Sequence, residues 1–341
     1  MRATVMRQGA LVVDTVPDPE PGPGEVLVRT LACGICGSDL HALRHADKVV
    51  DAARDSGMPF TMDLSRDVVM GHDFCAEIVD FGPDTQRALR PGTRVVSMPL
   101  AAGPDGVHTV GYSNDYPGGY GEAMRLCEPF LLPVPNGLAT EHAALTEPMA
   151  VGVHAVAKAR LEPGDTALVV GCGPVGLAIV AALRLRGAEP IVAADFSPAR
   201  RALAERMGAH VVVDPRRERA IDAWQRVARG PAVVFECVGV PGLLDQIMRD
   251  APRGARIVVA GVCMEDDRIR PILGINKELS VQFVLGYTPE EFAATLADIA
   301  EGRIPVAPLV TGRVGVGGVP GAFETLARPE AHAKILVEPW R

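Results

Sequence analysis

Cys36, His72 and Glu147 are the residues whose types best suit one shared metal ion. A thiolate, an imidazole and a carboxylate are all good zinc ligands, and three protein ligands leave the open fourth position that a catalytic zinc needs. Thiolate and carboxylate together neutralise the divalent ion, so an alcohol bound at the fourth position can still lose its proton. Ser38 and His41 follow Cys36 closely enough to reach that position. A hydroxyl there can pass the proton on, and a histidine titrating near neutrality can hand it to solvent. Asp39 joins this catalytic set as an acceptor that orients His72, and Asp73 sits directly beside that ligand. A second reading uses Cys33-x-x-Cys36 and His72-x-x-Cys75 as a closed structural site. Strand periodicity counts against it. A strand over Phe74 to Val79 that reaches back to His72 sends His72 and Cys75 to opposite faces, leaving Cys33 and Cys75 as core thiols.

A second chemistry is written between Thr166 and Asp195, TALVVGCGPVGLAIVAALRLRGAEPIVAAD. A short apolar run is followed by Gly171, Gly173 and Gly176 at G-x-G-x-x-G spacing, with Pro174 and Val175 opening a helix and Asp195 about twenty residues on. The glycines permit a tight turn, close approach of backbone amides to a pyrophosphate, and close helix–strand packing. The helix N-terminus then offers its dipole to the phosphates. Asp195 would accept hydrogen bonds from a ribose diol and repel a 2′-phosphate, so NAD is expected over NADP. Arg200 and Arg201 are the residues that could meet such a phosphate. Their helical positions read as a solvated face, and Arg200 is kept among the cofactor-binding candidates.

These two sets of residues need two kinds of scaffold. The chain has 341 residues, enough for two cores, and its 48% hydrophobic content is that of a globular protein. Residues 1–152 read as β-rich and loop-rich, with strands at Glu25 to Leu31, Glu77 to Phe81 and Arg94 to Met98. Residues 153–290 alternate strand and helix: Pro190 to Asp195, helix Pro198 to Met207, Val211 to Val213, a helix through Trp224, Ala232 to Cys237, helix Gly242 to Asp250, Arg256 to Ala260, and Leu279 to Gly286. That pattern predicts a doubly wound parallel sheet. A helix from Pro289 to Gly302 opens a last stretch, 291–341, expected to complete the first domain. The net charge of −8 and the lack of a basic block give nucleic acid or an anionic membrane no electrostatic basis. Thr166 to Leu183 is uncharged, but its three glycines and Pro174 argue against a membrane span. Seven cysteines, an odd count with no secretory leader in sight, predict reduced thiols and a cytoplasmic setting.

With these motifs in hand the chain resembles the zinc-dependent medium-chain dehydrogenases/reductases of the alcohol and polyol dehydrogenase kind, over essentially its whole length. CGICGSDLH, GHDFCAEIVDFG, PGGYGEAMRL, EPMAVGVHAV, the glycine fingerprint with Asp195, FECVG and NKELSVQFVLGY carry the resemblance. It implies an α/β protein: a Rossmann doubly wound parallel sheet plus a β-rich GroES-like catalytic domain. It implies one catalytic zinc on Cys36, His72 and Glu147, a proton relay through Ser38 and His41, and Lys334 against the cofactor diphosphate. The expected reaction moves a hydride between a secondary alcohol, polyol or sugar and NAD, in a homodimer or homotetramer paired through Leu279 to Gly286. The rival readings are a zinc-free, NADPH-linked quinone or enone reductase and a non-catalytic dinucleotide-binding protein. Three departures stand out. Residues 99–121 lack the four cysteines that hold a structural zinc in many members, so none is expected. Asp73 stands where glutamate is usual, which disfavours it as an alternating ligand. The long segment between His41 and Gly71, helix-like from Leu43 to Ser56, is expected to cover part of the substrate cleft, with Phe60, Tyr112, Tyr116 and Tyr120 in segments that could border it.

Overall fold

The structure is a computed structural model describing residues 1–58, 62–103, 106–328 and 330–341. It divides into two units, Met1–Glu147 with Val310–Arg341, and Pro148–Leu309. The boundaries expected at 152 and 290 therefore move to 147 and 309. Helix Pro289–Ala300 goes with the second unit because Glu291 bonds His154 Nδ1 at 2.7 Å and Phe292, Thr295, Leu296 and Ile299 are buried along one face.

In the first unit, strands Leu131–Pro133, Arg94–Ser97, Asp73–Phe81, Glu25–Gly34, Lys334–Val337 and Val310–Val314 form a sheet in that order, and Ala123–Cys127 also pairs with Glu25–Gly34. The register explains what the sheet positions. Gly34 lies opposite Asp73 in the antiparallel pair, so the chain leaves one strand toward Cys36 at the end where it enters the other from His72. Leu336 also pairs with Gly34, which brings Lys334 to the same end. Alternate residues of these strands face one core, Val26, Val28, Phe74, Ala76, Ile78 and Val95 among them. Between His41 and Gly71 the chain forms two helices, Gly37–Arg44 and Ala46–Asp55, rather than one from Leu43 to Ser56. His45 breaks them, its backbone (φ −137°, ψ 40°) lying outside the helical range.

In the second unit six parallel strands run in the order Val211–Val213, Ile191–Ala194, Thr166–Val170, Ala232–Glu236, Arg256–Val259 and Ser280–Phe283. Numbered along the chain this is 3-2-1-4-5-6, the Rossmann order. The central strands Ile191–Ala194 and Ala232–Glu236 are buried throughout, as helices on both faces require. The last strand differs, all four of its residues being exposed.

Candidate metal and dinucleotide sites

Cys36 is the N-cap of helix Gly37–Arg44, and its amide donates to Asp39 Oδ2 at 3.0 Å. That bond closes the turn that presents the thiol. Asp39 is wholly buried. Its Oδ2 also accepts from Tyr120 OH at 2.5 Å, its Oδ1 accepts from Tyr112 OH at 2.8 Å, and Oδ1 lies 3.4 Å from His72 Nδ1. With Nδ1 turned toward Asp39, Nε2 faces the other way. There it lies 3.4 Å from Ser38 Oγ and 3.5 Å from Asp73 Oδ1. Burial opposes charge on Asp39, but the His72 ring, then Tyr120 and the Cys36 amide, outweigh it and hold the carboxyl below its ordinary range.

Ligand atoms of Cys36, His72 and Asp73 lie within 4.8 Å of one another. Glu147 is not in this set. Its carboxyl adjoins Asp73, and burial first, then the Asp73 charge, push it well above the usual range. Glu147 is the second residue of helix Thr146–Lys158. Pro148 is tolerated next because first-turn N–H groups have no intrahelical partner to lose.

Lys334, expected against the cofactor diphosphate, is 1% exposed and its Nζ is bonded to Asp73 Oδ2. Gly34 makes room for it, since a Cβ there would lie 2.7 Å from Lys334 Cε. Cys33 and Cys75 are fully buried, and neither joins the converging set. Burial pushes the Cys75 thiol up to about 12 and holds Cys33 well above its usual range, so both are neutral core thiols. The four-ligand structural reading therefore fails on position.

His41 lies three residues beyond Ser38 on helix Gly37–Arg44, hence on the same face, and is half-buried. Tyr112 is the residue whose part was missed: its hydroxyl also lies 3.0 Å from Ser38 Oγ. Tyr116 and Tyr120 do not line an opening, being 2% and 0% exposed, and Phe60 lies outside the described residues.

A zinc ion fits these residues on two observations. The donors are one sulfur, one imidazole nitrogen and carboxylate oxygens, and among the described residues Asp73 Oδ1 is buried without a hydrogen-bond partner.

In the second unit, Gly171 has a φ of +95°, and a Cβ on Gly176 would fall 1.9 Å from the Gly171 carbonyl oxygen. The turn thus passes against the start of helix Pro174–Leu185, whose N-cap, Gly173, supplies no side-chain cap. Pro174 brings no amide of its own, so the amides from Val175 and Gly176 onward are left for an anion. Asp195 ends the neighbouring strand and accepts from the Cys172 and Ser197 amides, each at 2.8 Å. Arg201 and Arg200 are not a solvated face. Arg201 bonds the Asp195 carbonyl at 2.7 Å and pairs with Asp214 at 3.4 Å, while Arg200 turns toward Gly173 with its Nε buried and unpartnered.

Among the described residues no helix is long and apolar enough to cross a membrane. Residues 174–301 match the family of zinc-binding dehydrogenases, and residues 22–136 the alcohol dehydrogenase GroES-like domain. The chain belongs to the zinc-dependent medium-chain alcohol and polyol dehydrogenases, and so is an oxidoreductase that uses zinc and a nicotinamide dinucleotide. It is 32% identical over 338 residues to (R,R)-butanediol dehydrogenase of Bacillus subtilis, covering 96% of both chains. Sorbitol dehydrogenase of Bos taurus is 29% identical, over 97% of this chain and 93% of that one. The crystal structure of 2R,3R-butanediol dehydrogenase from Bacillus subtilis matches with a TM-score of 0.85 at 30% identity, covering 99% of each chain. A putative zinc-binding dehydrogenase from Sinorhizobium meliloti 1021, bound to NADP, matches at 0.83 and 28% identity, again over 99% of each.

Proposed function

We propose that this enzyme oxidises the secondary hydroxyl of a small diol or polyol with NAD, using one zinc held by Cys36, His72 and Glu147. The observation that carries the reading is the convergence of Cys36, His72 and Asp73 ligand atoms within 4.8 Å, with Asp73 Oδ1 buried and unpartnered. Glu147 is preferred to Asp73 as third ligand because Asp73 already neutralises the buried Lys334 ammonium through Oδ2, and the Glu147 carboxyl lies in the field of Asp73, His72 and Cys36. The groups supply, when bound, Lewis acidity toward a hydroxyl oxygen and a hydride acceptor. Ser38 Oγ, beside His72 Nε2, is the group placed to take the hydroxyl proton, and His41 on the same helix face is the group placed to release it. Asp195 favours an unphosphorylated ribose. Its carboxylate receives two backbone amides, which fix its position at the end of its strand. The names of the butanediol and sorbitol dehydrogenase relatives point to hydroxyls on adjacent carbons as the substrate class. Reduced thiols, needed for Cys36 to bind metal, suit a cytoplasmic setting. Pairing of subunits through the exposed strand Ser280–Phe283 accords with its open edge.

The test is to measure zinc per chain and then NADH and NADPH formation over a panel of 2,3-butanediol, sorbitol, other polyols, sugars and simple secondary alcohols. About one zinc and NADH from vicinal diols or polyols is the expected result. A protein that takes up no zinc, or that turns over both dinucleotides equally, would contradict the reading.

A further inference from the structure

Residues 110–121 carry three of the chain's four tyrosines, at 112, 116 and 120, and no cysteine. Each of the three hydroxyls reaches a buried carboxylate. Tyr112 and Tyr120 reach Asp39, at 2.8 and 2.5 Å, and Tyr116 reaches Glu25 at 2.8 Å with the Arg125 guanidinium 4.1 Å above its ring. The segment is also sewn to the strand end that carries His72: Gly118 N donates to Val69 O at 2.7 Å, Gly119 N to Gly71 O at 2.8 Å and Tyr120 N to Met70 O at 3.0 Å. Asp39 in turn holds the Cys36 amide and faces His72 Nδ1. Two prospective ligands thus depend on one carboxylate, and that carboxylate depends on two phenols.

We propose that Tyr112 and Tyr120 are positioning residues for the metal centre, acting through Asp39 to set the spacing of Cys36 and His72, with Tyr116 anchoring the segment that carries them. A phenol suits the task because it is a rigid donor with a single proton. The Tyr112 hydroxyl points its proton toward both Asp39 Oδ1, at 2.8 Å, and Ser38 Oγ, at 3.0 Å. One side chain thereby orients both Asp39 and Ser38. The inference rests on the zinc reading of the site and adds to it what holds the ligands in place.

The experiment compares Tyr112→Phe, Tyr120→Phe and Tyr116→Phe in the full chain. Zinc transfer to a colorimetric chelator is followed in time, and the absorption of the cobalt-substituted proteins reports ligand geometry. Loss of an outer-shell partner typically costs 10–100-fold in metal affinity, so Tyr112→Phe should release zinc roughly tenfold faster, with displaced cobalt bands. Tyr120→Phe should do the same. Tyr116→Phe should melt lower yet release zinc at close to the parent rate, since it does not touch Asp39. If Tyr120→Phe does not fold, half-buried Tyr112 decides alone. Parent-like zinc release and cobalt bands in Tyr112→Phe would overturn the positioning role and leave the proposed function standing. A parent that binds no zinc would overturn both.

Discussion

Three carboxyl groups, those of Asp39, Asp73 and Glu147, a thiol, an imidazole and one buried ammonium meet at one end of the first unit's sheet, and each sets what its neighbours can do. Lys334 is the most constrained of them. Leaving one member of a buried pair alone costs about 3–5 kcal/mol, so Lys334→Met should lower the metal-free protein's stability in urea by that order, because Asp73 would stay buried without its partner. A loss within about 0.5 kcal/mol, together with weakened dinucleotide binding, would return Lys334 to the diphosphate role. Glu147→Ala should lower zinc affinity and activity together by orders of magnitude. If that variant keeps its metal through a chelator wash, Asp73 is the third ligand, since Cys33 lies outside the converging set. Burial first, then His45 and Arg44, lower the His41 pKa from 6.5. Between 6.5 and the lowered value the unfolded chain takes the proton more readily, so this residue's contribution to stability falls as pH drops through that window. His41→Gln should therefore flatten the acid limb of the stability curve while slowing alcohol oxidation most at low pH, where losing the proton is hardest. Equal rates for variant and parent at every pH would take His41 out of the relay. Asp195→Ala should weaken the preference for NAD, read as the ratio of kcat/KM for the two dinucleotides.

Among the elements, the fingerprint turn has the least tolerance. A methyl on Gly176 would meet a backbone oxygen rather than a flexible side chain, so neither turn nor helix can yield cheaply. Gly176→Ala should cost about 1–3 kcal/mol and weaken dinucleotide binding well beyond that loss, measured by quenching of intrinsic fluorescence. Parent-like binding would mean that the turn relaxes. Helix Pro198–Met207 shows the opposite case, an element specified locally from end to end. Ser197 caps it by accepting from Arg200 N at 3.3 Å, Pro198 opens it, and Gly208 closes it in the left-handed region at φ 119°. Its predicted bounds match its observed ones for that reason. Helix Thr146–Lys158 differs, because its first turn is held by Thr146 Oγ1 on Ala143 O at 2.8 Å, in a segment whose apolar pattern gave no sign of a start there.

Over the whole molecule, the strand Ser280–Phe283 leaves an open sheet edge, with Phe283 65% and nearby Leu285 69% exposed. An unprotected apolar edge of this kind is a pairing surface. Phe283→Arg should shift sedimentation from a dimer or tetramer toward the monomer. A parent that already sediments as a monomer would remove the pairing. Much of this architecture was legible beforehand, because strand, turn and helix signals are local: the six parallel strands announced themselves as short apolar runs, and the glycine spacing with Asp195 located the dinucleotide turn. Cys36 and His72, whose ligand atoms converge with that of Asp73, could be named as candidate ligands because each sits in a compact motif of its own chemistry. What the linear order could not carry was which distant residues share a sheet end. Asp73 and Lys334 are 261 positions apart and Tyr112 and Asp39 73 apart, and no periodicity links them. The antiparallel register of Gly34 with Asp73 and Leu336 makes the first pair neighbours, and the bonds of residues 118–120 to residues 69–71 hold the tyrosine segment beside the second. Register is set by the summed burial of whole strands, a property of the packed sheet rather than of any stretch of sequence, so only the tertiary structure could set Lys334 against Asp73 and give Tyr112 its place beside Ser38.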